Sequence, residues 1–253
     1  MIQRITVSAE QCSGSILTLK ADQAHYLIDV LRLRSGDRFI AQDGKGTQWT
    51  ATLKSIATAP PQADIVKTIE HSPTALPLRL VVAPTKGNSF DAVIRQATEL
   101  GATHIYPVIT ERTVLKPSQN RQLRWQKIAA EACEQSERPV IPQIFETTSF
   151  AQHLTNLSIE APLNNQPTEI RYICSARTNN PHLLAEAQSN FSSQDLPAVT
   201  LAIGPEGGWT SSEISDAIRI GYKEVSLGSA ILRAVTASIT ALSLITAARN
   251  LLI

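Results

Sequence analysis

From Leu78 onward, short apolar runs alternate with longer amphipathic stretches, and this alternation constrains the fold more than any other feature of the sequence. In FDAVIRQATELG, for example, Phe90, Val93, Ile94 and Ala97 fall on one face of a helix. The apolar runs have the continuous character of buried parallel strands; they are LRLVVAP, THIYPV, EIRYICS, AVTLAIG and KEVSLG. Strands that alternate with helices predict an α/β domain with a mainly parallel sheet.

Three further stretches of this region are predicted to be helices. They are RQLRWQKIAAEACEQSER, SSEISDAIRIGY and the long final ILRAVTASITALSLITAARNLL, whose helix is expected to start near Leu232. Residues 156–168 carry no periodic pattern and are predicted to form a loop or insertion.

The amino-terminal region has a different pattern, rich in β-branched residues. RFIAQDGKGTQWTATL holds two such runs around DGKG, which predicts a β-hairpin. Gly44 and Gly46 lie between strands and lack a third glycine, so this turn is not a dinucleotide-binding loop. A short helix is predicted from Gln23 to about Leu33, ending before Gly36.

A small β-barrel is the expected fold of this region. The segment from His71 to Pro77 contains two prolines and few bulky residues, which predicts a linker. The chain is therefore expected to form two domains, residues 1–72 and residues 73–253.

Composition narrows the class of protein. Three separated cysteines (Cys12, Cys133 and Cys174) argue against a disulfide framework and against a zinc site, and no metal is expected. No apolar run approaches the roughly 20 residues that span a bilayer, and no signal peptide is evident. The expected location is the cytoplasm, away from membranes.

The net charge of +1 gives no support for a protein that coats polyanions. The basic residues are unevenly spread, however, because residues 112–127 hold five of them, no acidic residue, and Trp125. Such a patch could bind phosphate locally. On charge alone, a solvated helix face is the favoured interpretation.

Two loops carry the candidate chemistry. In AIGPEGGWTSSE, an apolar strand enters Gly204-Pro205-Glu206-Gly207-Gly208, and Thr210 with Glu213 forms a capping box for the next helix. Ligands of open α/β sheets bind at this end of the strands, and glycines let them touch the main chain. A tight turn without a ligand remains the alternative. The loop matches neither the phosphate loop nor the dinucleotide fingerprint.

The second loop lies in EVSLGSAILRAVTAS, where a strand ends at Leu227-Gly228 and a bend precedes the final helix. Arg233 is expected in the first turn of that helix, where a cation opposes the helix dipole. This unfavourable position indicates a role for Arg233 elsewhere, although a plain surface arginine is the alternative.

These motifs resemble a known family. LAIGPEGGWTSSEI followed by VSLGSAILRAVTA is similar to the paired motifs of SPOUT methyltransferases. Together with KGNSFDAVIRQATELGATHIYPVITERTV, WQKIAAEACEQSER and HYLIDVLRLRSGD, they resemble the RsmE family of ribosomal RNA uridine methyltransferases over nearly the whole chain. The resemblance implies a PUA-like RNA-binding barrel, a SPOUT-type parallel sheet with a carboxyl-terminal trefoil knot, and a homodimer.

The resemblance also implies an activity and a set of site residues. The activity is transfer of a methyl group from S-adenosyl-L-methionine to ring nitrogen 3 of a uridine in small-subunit (16S) ribosomal RNA. Arg233 would lie near the transferred methyl group as a catalytic residue, and Arg32, Arg34, Arg112 and Lys116 would face RNA. Apart from the resemblance, Glu206 is a candidate catalytic base, with hydrogen bonds to the loop amides as its alternative role and His25 and His104 as weaker candidates. The implied cofactor-binding residues are Ile203, Gly204, Glu206, Gly207, Gly208, Leu227, Gly228, Ile231 and Leu232.

One motif departs from the family. The family's usual Arg-Thr-Glu-Thr-Ala is Arg233-Ala234-Val235-Thr236-Ala237 here, without the acidic residue. A non-catalytic RNA-binding protein with the same fold is therefore one alternative, and a methyltransferase for another RNA nucleotide is a second. A small-molecule enzyme with another nucleotide cofactor is a third, which the missing fingerprints disfavour.

Overall fold

The computed structural model describes residues 2–54, 60–71, 76–85, 88–114, 119–159, 169–177, 179–193 and 196–252. The chain divides into two compact units, one of Met1–Thr74 with Ala130–Ile141 and one of Ala75–Ala129 with Pro142–Ile253. Most of the predicted linker (72–75) lies outside the described residues, and so does Lys116. Within the described residues, no helix has both the length and the apolar character needed to cross a bilayer.

The first unit is built on a six-stranded sheet. The predicted hairpin is confirmed: β4 (Arg38–Gln42) and β5 (Thr47–Leu53) pair antiparallel around a turn in which Asp43 accepts hydrogen bonds from the backbone of Lys45 and Thr47. The spatial order is β1-β4-β5-β6-β3-β2, parallel only between β1 and β4. The strands are β1 (Arg4–Thr6), β2 (Cys12–Ser13), β3 (Ile16–Thr18), β4 (Arg38–Gln42), β5 (Thr47–Leu53) and β6 (Gln62–Glu70).

The predicted helix of residues 23–33 is shorter and less regular than expected. Helix α1 spans Ala21–His25 and continues as a π-helical turn over Tyr26–Val30. The wider turn changes the spacing of side chains, so that Leu27 is buried while Val30 is 56% exposed. Arg32, with a φ of 59°, lies in the left-handed region, which ends the helix well before Gly36.

The second unit confirms the predicted α/β fold. Its seven-stranded sheet is parallel throughout, in the order β10-β8-β7-β12-β11-β13, with β9 also paired to β8. The strands are β7 (Leu78–Val82), β8 (His104–Ile109), β9 (Gln143–Ile144), β10 (Thr148–Ser149), β11 (Glu169–Cys174), β12 (Ala198–Ile203) and β13 (Tyr222–Val225). The helices that follow α1 are α2 (Ser89–Glu99), α3 (Gln119–Gln135), α4 (Phe150–Ile159), α5 (Leu183–Asn190), α6 (Ser211–Arg219) and α7 (Ala234–Asn250).

The loop predicted from residue 156 was wrong for residues 156–159, because helix α4 continues to Ile159. The rest of that predicted loop, residues 160–168, lies outside the described residues. Phe150 and Leu154 of α4 are buried in a core cluster with Val81, Ile173 and Trp209. Packing against distant residues therefore stabilises a helix that its local pattern did not predict.

The chain after β13 passes close to the segment that follows β11. The Val225 carbonyl accepts a hydrogen bond from the Ser175 amide. The Ser226 amide donates to the Pro181 carbonyl, and the Ser226 carbonyl accepts from the Leu183 amide. Successive residues of a strand direct their backbone groups to opposite edges. Residues Val225–Ser226 therefore lie between two parts of the segment that follows β11, one at Ser175 and one at 181–183.

Candidate functional site

A cleft of about 310 Å³ opens at the carboxyl ends of β11, β12 and β13, which are neighbours in the sheet. Both glycine turns singled out in the sequence line this one cleft. Its volume is at the lower end of the range for small-molecule sites, which is roughly 300–1,000 Å³. The lining includes nine predicted cofactor-binding residues: Ile203, Gly204, Glu206, Gly207, Gly208, Leu227, Gly228, Ile231 and Leu232.

The loop after β12, residues 204–210, packs tightly against neighbouring side chains at two of its glycines. A Cβ at Gly204 would lie 3.1 Å from the Trp209 indole, and a Cβ at Gly207 would lie 3.1 Å from Cβ of Arg112. Gly208 has a φ of +69°, which side chains with a Cβ adopt rarely. Close packing therefore accounts for glycine at 204 and 207, and backbone conformation accounts for it at 208.

Trp209 connects this loop to the neighbouring strand. Its indole Nε1 donates a hydrogen bond of 3.1 Å to the Cys174 carbonyl at the end of β11. Its ring centroid lies 4.5 Å from that of Phe150, and the residue is buried. The indole thus forms an apolar wall of the cleft and satisfies its single donor.

Arg112, which follows β8, packs beside the same loop. Its Nη1 donates to the Gly207 carbonyl at 2.8 Å and to the Trp209 carbonyl at 3.3 Å. The family resemblance implies an RNA contact for this residue, and that role stays a prediction. The structure adds that the guanidinium holds two carbonyls of the glycine-rich loop.

Glu213 fixes the start of α6 below the loop. Thr210 is the N-cap, and the predicted capping box with Glu213 is confirmed. The Glu213 carboxylate also accepts a hydrogen bond of 2.9 Å from the Glu111 amide, in the segment after β8. One buried carboxylate therefore connects the ends of two loops beside the cleft.

The loop after β13, residues 226–233, contributes apolar side chains to the cleft. Leu227 and Leu232 are half-buried, whereas Ile231 is 62% exposed. Gly228 has a φ of +122°, and its amide is hydrogen-bonded to the Ser226 hydroxyl. The loop therefore presents leucine side chains and main-chain groups together, a combination that suits the faces and edges of a purine ring.

Arg233 lies just outside the predicted helix turn. Helix α7 begins at Ala234 and Arg233 is its N-cap, with an extended backbone (φ −65°, ψ 152°). The expectation that Arg233 lies in the first turn of the helix was wrong, because the helix begins one residue later, while Leu232 lines the cleft. The Arg233 side chain is exposed, and Arg233 is not among the lining residues described.

The predicted RNA-facing residues are distributed over the chain. Arg32 and Arg34 are exposed in the first unit, and Arg112 lines the cleft of the second. Trp125, which the sequence places within the basic patch, is buried and packs on Phe90 at 4.6 Å, so its ring cannot stack on a base.

Sequence reasoning missed part of the cleft wall. Ser175, Ala176 and Arg177 follow β11 and line the cleft, as do Trp209, Ile214, Ala234 and Ala237. The apolar run EIRYICS predicts β11, so its carboxyl end was an available signal. The sequence does not reveal, however, that β11 lies between β12 and β13.

Burial determines which groups of the cleft can react. Burial raises the pKa of the Cys174 thiol to about 12, so this side chain is a protonated apolar wall rather than a nucleophile. The charged side chains of the lining are those of Arg112, Arg177 and Glu206. The site therefore combines apolar surfaces and main-chain groups with a few charges, as sites for nucleoside ligands do.

Comparisons with known proteins agree with this architecture. Residues 72–246 match the family model described as an RNA methyltransferase domain, and residues 19–59 match the model of an RNA methyltransferase PUA domain. The chain is 44% identical to the ribosomal RNA small subunit methyltransferase E of Synechocystis, over 98% of this chain and 78% of that protein. The Rickettsia conorii protein of the same name is 30% identical over 95% and 93%, respectively.

Two similar solved structures contain a ligand. A methyltransferase of Legionella pneumophila in complex with SAM is 28% identical, covers 98% of each chain and superposes with a TM-score of 0.82. The ribosomal RNA small subunit methyltransferase E of Neisseria gonorrhoeae, bound to S-adenosyl methionine, is 27% identical over 96% of each chain, with a TM-score of 0.79.

Proposed function

Because this chain belongs to the ribosomal RNA small subunit methyltransferase E family, we propose that it transfers a methyl group from S-adenosylmethionine to ring nitrogen 3 of a uridine in small-subunit ribosomal RNA. The observation that carries this proposal is the shared cleft of the two glycine turns, around Gly207 and Gly228. Solved relatives that bind S-adenosylmethionine support the choice of cofactor.

The residues of the cleft fit this cofactor. Gly204 and Gly207 let the main chain of the loop pack closely against Trp209 and Arg112, because a Cβ at either glycine would lie 3.1 Å from one of them. Leu227 and Leu232 offer apolar surfaces for the adenine. When bound, S-adenosylmethionine supplies a methyl group already activated by its sulfonium.

The protein's task is then to position the base and to move a proton. Uridine N3 carries a proton and pairs with adenine in a duplex, so the base must be unpaired or flipped to reach the cleft. As N3 loses its proton, negative charge develops on the uracil oxygens. An oriented guanidinium stabilises such charge strongly in a site that excludes water.

We assign that stabilising role to Arg233, which precedes α7 directly after the lining residue Leu232. Glu206 is the candidate acceptor of the N3 proton. Its side chain is exposed at the cleft, and no hydrogen bond to the amides of the loop is found among the described residues. A free carboxylate at this place suits a base better than it suits a structural loop contact.

Methyl transfer from labelled S-adenosylmethionine to small-subunit ribosomal RNA tests the proposal. We expect label in the RNA, and 3-methyluridine after digestion to nucleosides. Methylation of another nucleoside would mean that the protein is an RNA methyltransferase with a different target. Binding of RNA and cofactor without transfer would support the non-catalytic alternative, which the Ala234-Val235 departure from the family motif favours. Thermal stabilisation by NAD or ATP instead of S-adenosylmethionine would overturn the proposal.

The proposal extends to the architecture. We propose that residues 1–72 form a PUA-like barrel that binds RNA and that residues 73–253 form the SPOUT methyltransferase domain, working in the cytoplasm. The family model at residues 19–59 supports the first assignment. The passage of Val225–Ser226 between two parts of the chain that follows β11 supports a trefoil knot. An experimental structure would test this proposal. Its backbone trace should remain knotted when the two chain ends are pulled apart.

We further propose that the protein is a homodimer, as the family resemblance implies. Light scattering during size-exclusion chromatography tests this, with a mass of twice 27.5 kDa as the expected result. A monomer at micromolar concentration would contradict it.

A further inference from the structure

Arg177 is a cleft residue to which neither the sequence motifs nor the proposed mechanism gives a role. It follows β11 together with Ser175 and Ala176 and lines the cleft opened by the two glycine turns. Its side chain is exposed, and among the described residues it has neither a hydrogen bond nor an ion pair. The cleft therefore contains a guanidinium that is available to a ligand.

The other cation of the lining is already engaged. Arg112 donates hydrogen bonds to the carbonyls of Gly207 and Trp209, which fix its guanidinium beside the loop. An anionic group that enters the cleft can therefore obtain new charge-assisted hydrogen bonds most readily from Arg177.

The backbone of Arg177 supports a functional role. Its φ of 62° lies in the left-handed region, where glycine and asparagine occur routinely and long side chains seldom do. A residue kept in a disfavoured conformation at a ligand cleft points to a use for its side chain.

We propose that Arg177 binds the carboxylate of the methionine portion of S-adenosylmethionine. This inference rests on the proposed function. A short chain of covalent bonds joins the carboxylate to the sulfonium, so a cofactor whose adenosine lies between the glycine turns has its carboxylate in the same cleft. Arg177 there pairs with the carboxylate.

Calorimetry with three ligands tests this assignment. S-adenosylmethionine and S-adenosylhomocysteine both carry the carboxylate, whereas 5′-methylthioadenosine has the same nucleoside without the amino-acid portion. We expect Arg177→Asn to weaken the affinity for the first two ligands by about tenfold. The affinity for 5′-methylthioadenosine should stay within about twofold of the wild-type value. Asparagine tolerates the positive φ, so the loop keeps its backbone.

Two further variants complete the test. Arg177→Lys keeps a cation and is expected to lose less affinity than Arg177→Asn. Arg219→Asn is the matched control, because Arg219 is an exposed α6 residue paired with Asp216 and lies away from the cleft lining. It should leave all three affinities unchanged.

Two results would overturn the assignment, and a third would overturn the proposed function on which it rests. Equal losses for all three ligands would mean that the residue only shapes the loop. Unchanged cofactor affinity with a raised KM for RNA would mean that Arg177 contacts an RNA phosphate and not the cofactor. Failure of the wild-type protein to bind S-adenosylmethionine would instead overturn the proposed function itself, so the two failures are distinguishable.

Discussion

At the scale of single residues, Gly207 and Arg112 share one small space. The predicted cofactor loop can approach Arg112 because residue 207 has no side chain, and Arg112 in turn donates to the Gly207 carbonyl at 2.8 Å. The two residues are 95 positions apart in the chain. Their contact therefore depends on the positions of β8 and β12, which lie on either side of β7 in the sheet.

We expect Gly207→Val to weaken S-adenosylmethionine binding at least tenfold. A branched side chain at residue 207 would displace the Arg112 side chain and remove its hydrogen bond to the loop carbonyl. Gly207→Ala, which adds one methyl group, should have a smaller effect. Wild-type affinity for the valine variant, measured by calorimetry, would contradict the prediction.

Arg233 is expected to act on the reaction and not on cofactor binding. Arg233→Ala should lower methyl transfer by about 100-fold or more, since it removes a cation that stabilises developing charge. Cofactor affinity should stay unchanged, because Arg233 is not among the described lining residues. Single-turnover transfer of labelled methyl groups, measured beside a binding titration, separates the two effects. Unchanged turnover would remove Arg233 from the mechanism.

At the scale of elements, the start of α6 depends on one buried carboxylate. Glu213 accepts hydrogen bonds from the backbone amides of Thr210 and Glu111, each at 2.9 Å. The first belongs to the capping box that the sequence predicts, and the second joins α6 to the segment after β8. The helix is thus positioned by both a local and a distant contact.

Glu213→Ala should lower the free energy of unfolding by about 2 kcal/mol, because two amides beside the cleft lose a charged acceptor. Urea denaturation measures this change. Ser212→Ala is the control, since its hydroxyl bonds only to exposed partners, Thr210 and Glu111, and its loss should cost less than about 0.5 kcal/mol. Equal effects of the two substitutions would mean that the Glu213 contacts contribute little.

At the scale of the second unit as a whole, Arg249 connects the last helix to the beginnings of two strands. Its guanidinium, buried near the end of α7, donates to the carbonyls of Leu76, Pro77 and Pro197. Burial lowers the pKa of Arg249 to about 10. These contacts fix the carboxyl-terminal helix against residues that precede β7 and β12.

We expect Arg249→Met to destabilise the protein by about 3 kcal/mol, because three carbonyls lose their donor while the apolar volume is kept. The urea midpoint should fall without a change of m-value. Arg219→Met, at an exposed position, should change the free energy of unfolding by less than about 0.5 kcal/mol. A midpoint unchanged by Arg249→Met would show that these contacts do not support the helix.

Because His153 is buried, we expect the free energy of unfolding to fall in mild acid. Burial is the main cause that lowers its pKa from 6.5 to about 4. Between these two values the unfolded chain binds a proton that the native chain does not. The His153 contribution is therefore complete above pH 6.5 and decreases as the pH falls towards 4.

His153→Leu should reduce this pH dependence. Unfolding free energies of both proteins at pH 7.5 and pH 5 give the comparison, and the loss on acidification should be smaller in the variant. Equal losses would assign the acid sensitivity to other groups.

The sequence by itself determined the fold class, the hairpin, the capping box and the two glycine turns, because hydrophobic period and turn chemistry are written in neighbouring residues. The order of the strands could not be predicted in this way, since it depends on packing between residues far apart in the chain. Only the tertiary structure placed β11 between β12 and β13, and thereby brought Arg177 and Trp209 to the cleft. The continuation of α4 to Ile159 was decided at the same level, because packing against distant residues outweighs the local pattern there.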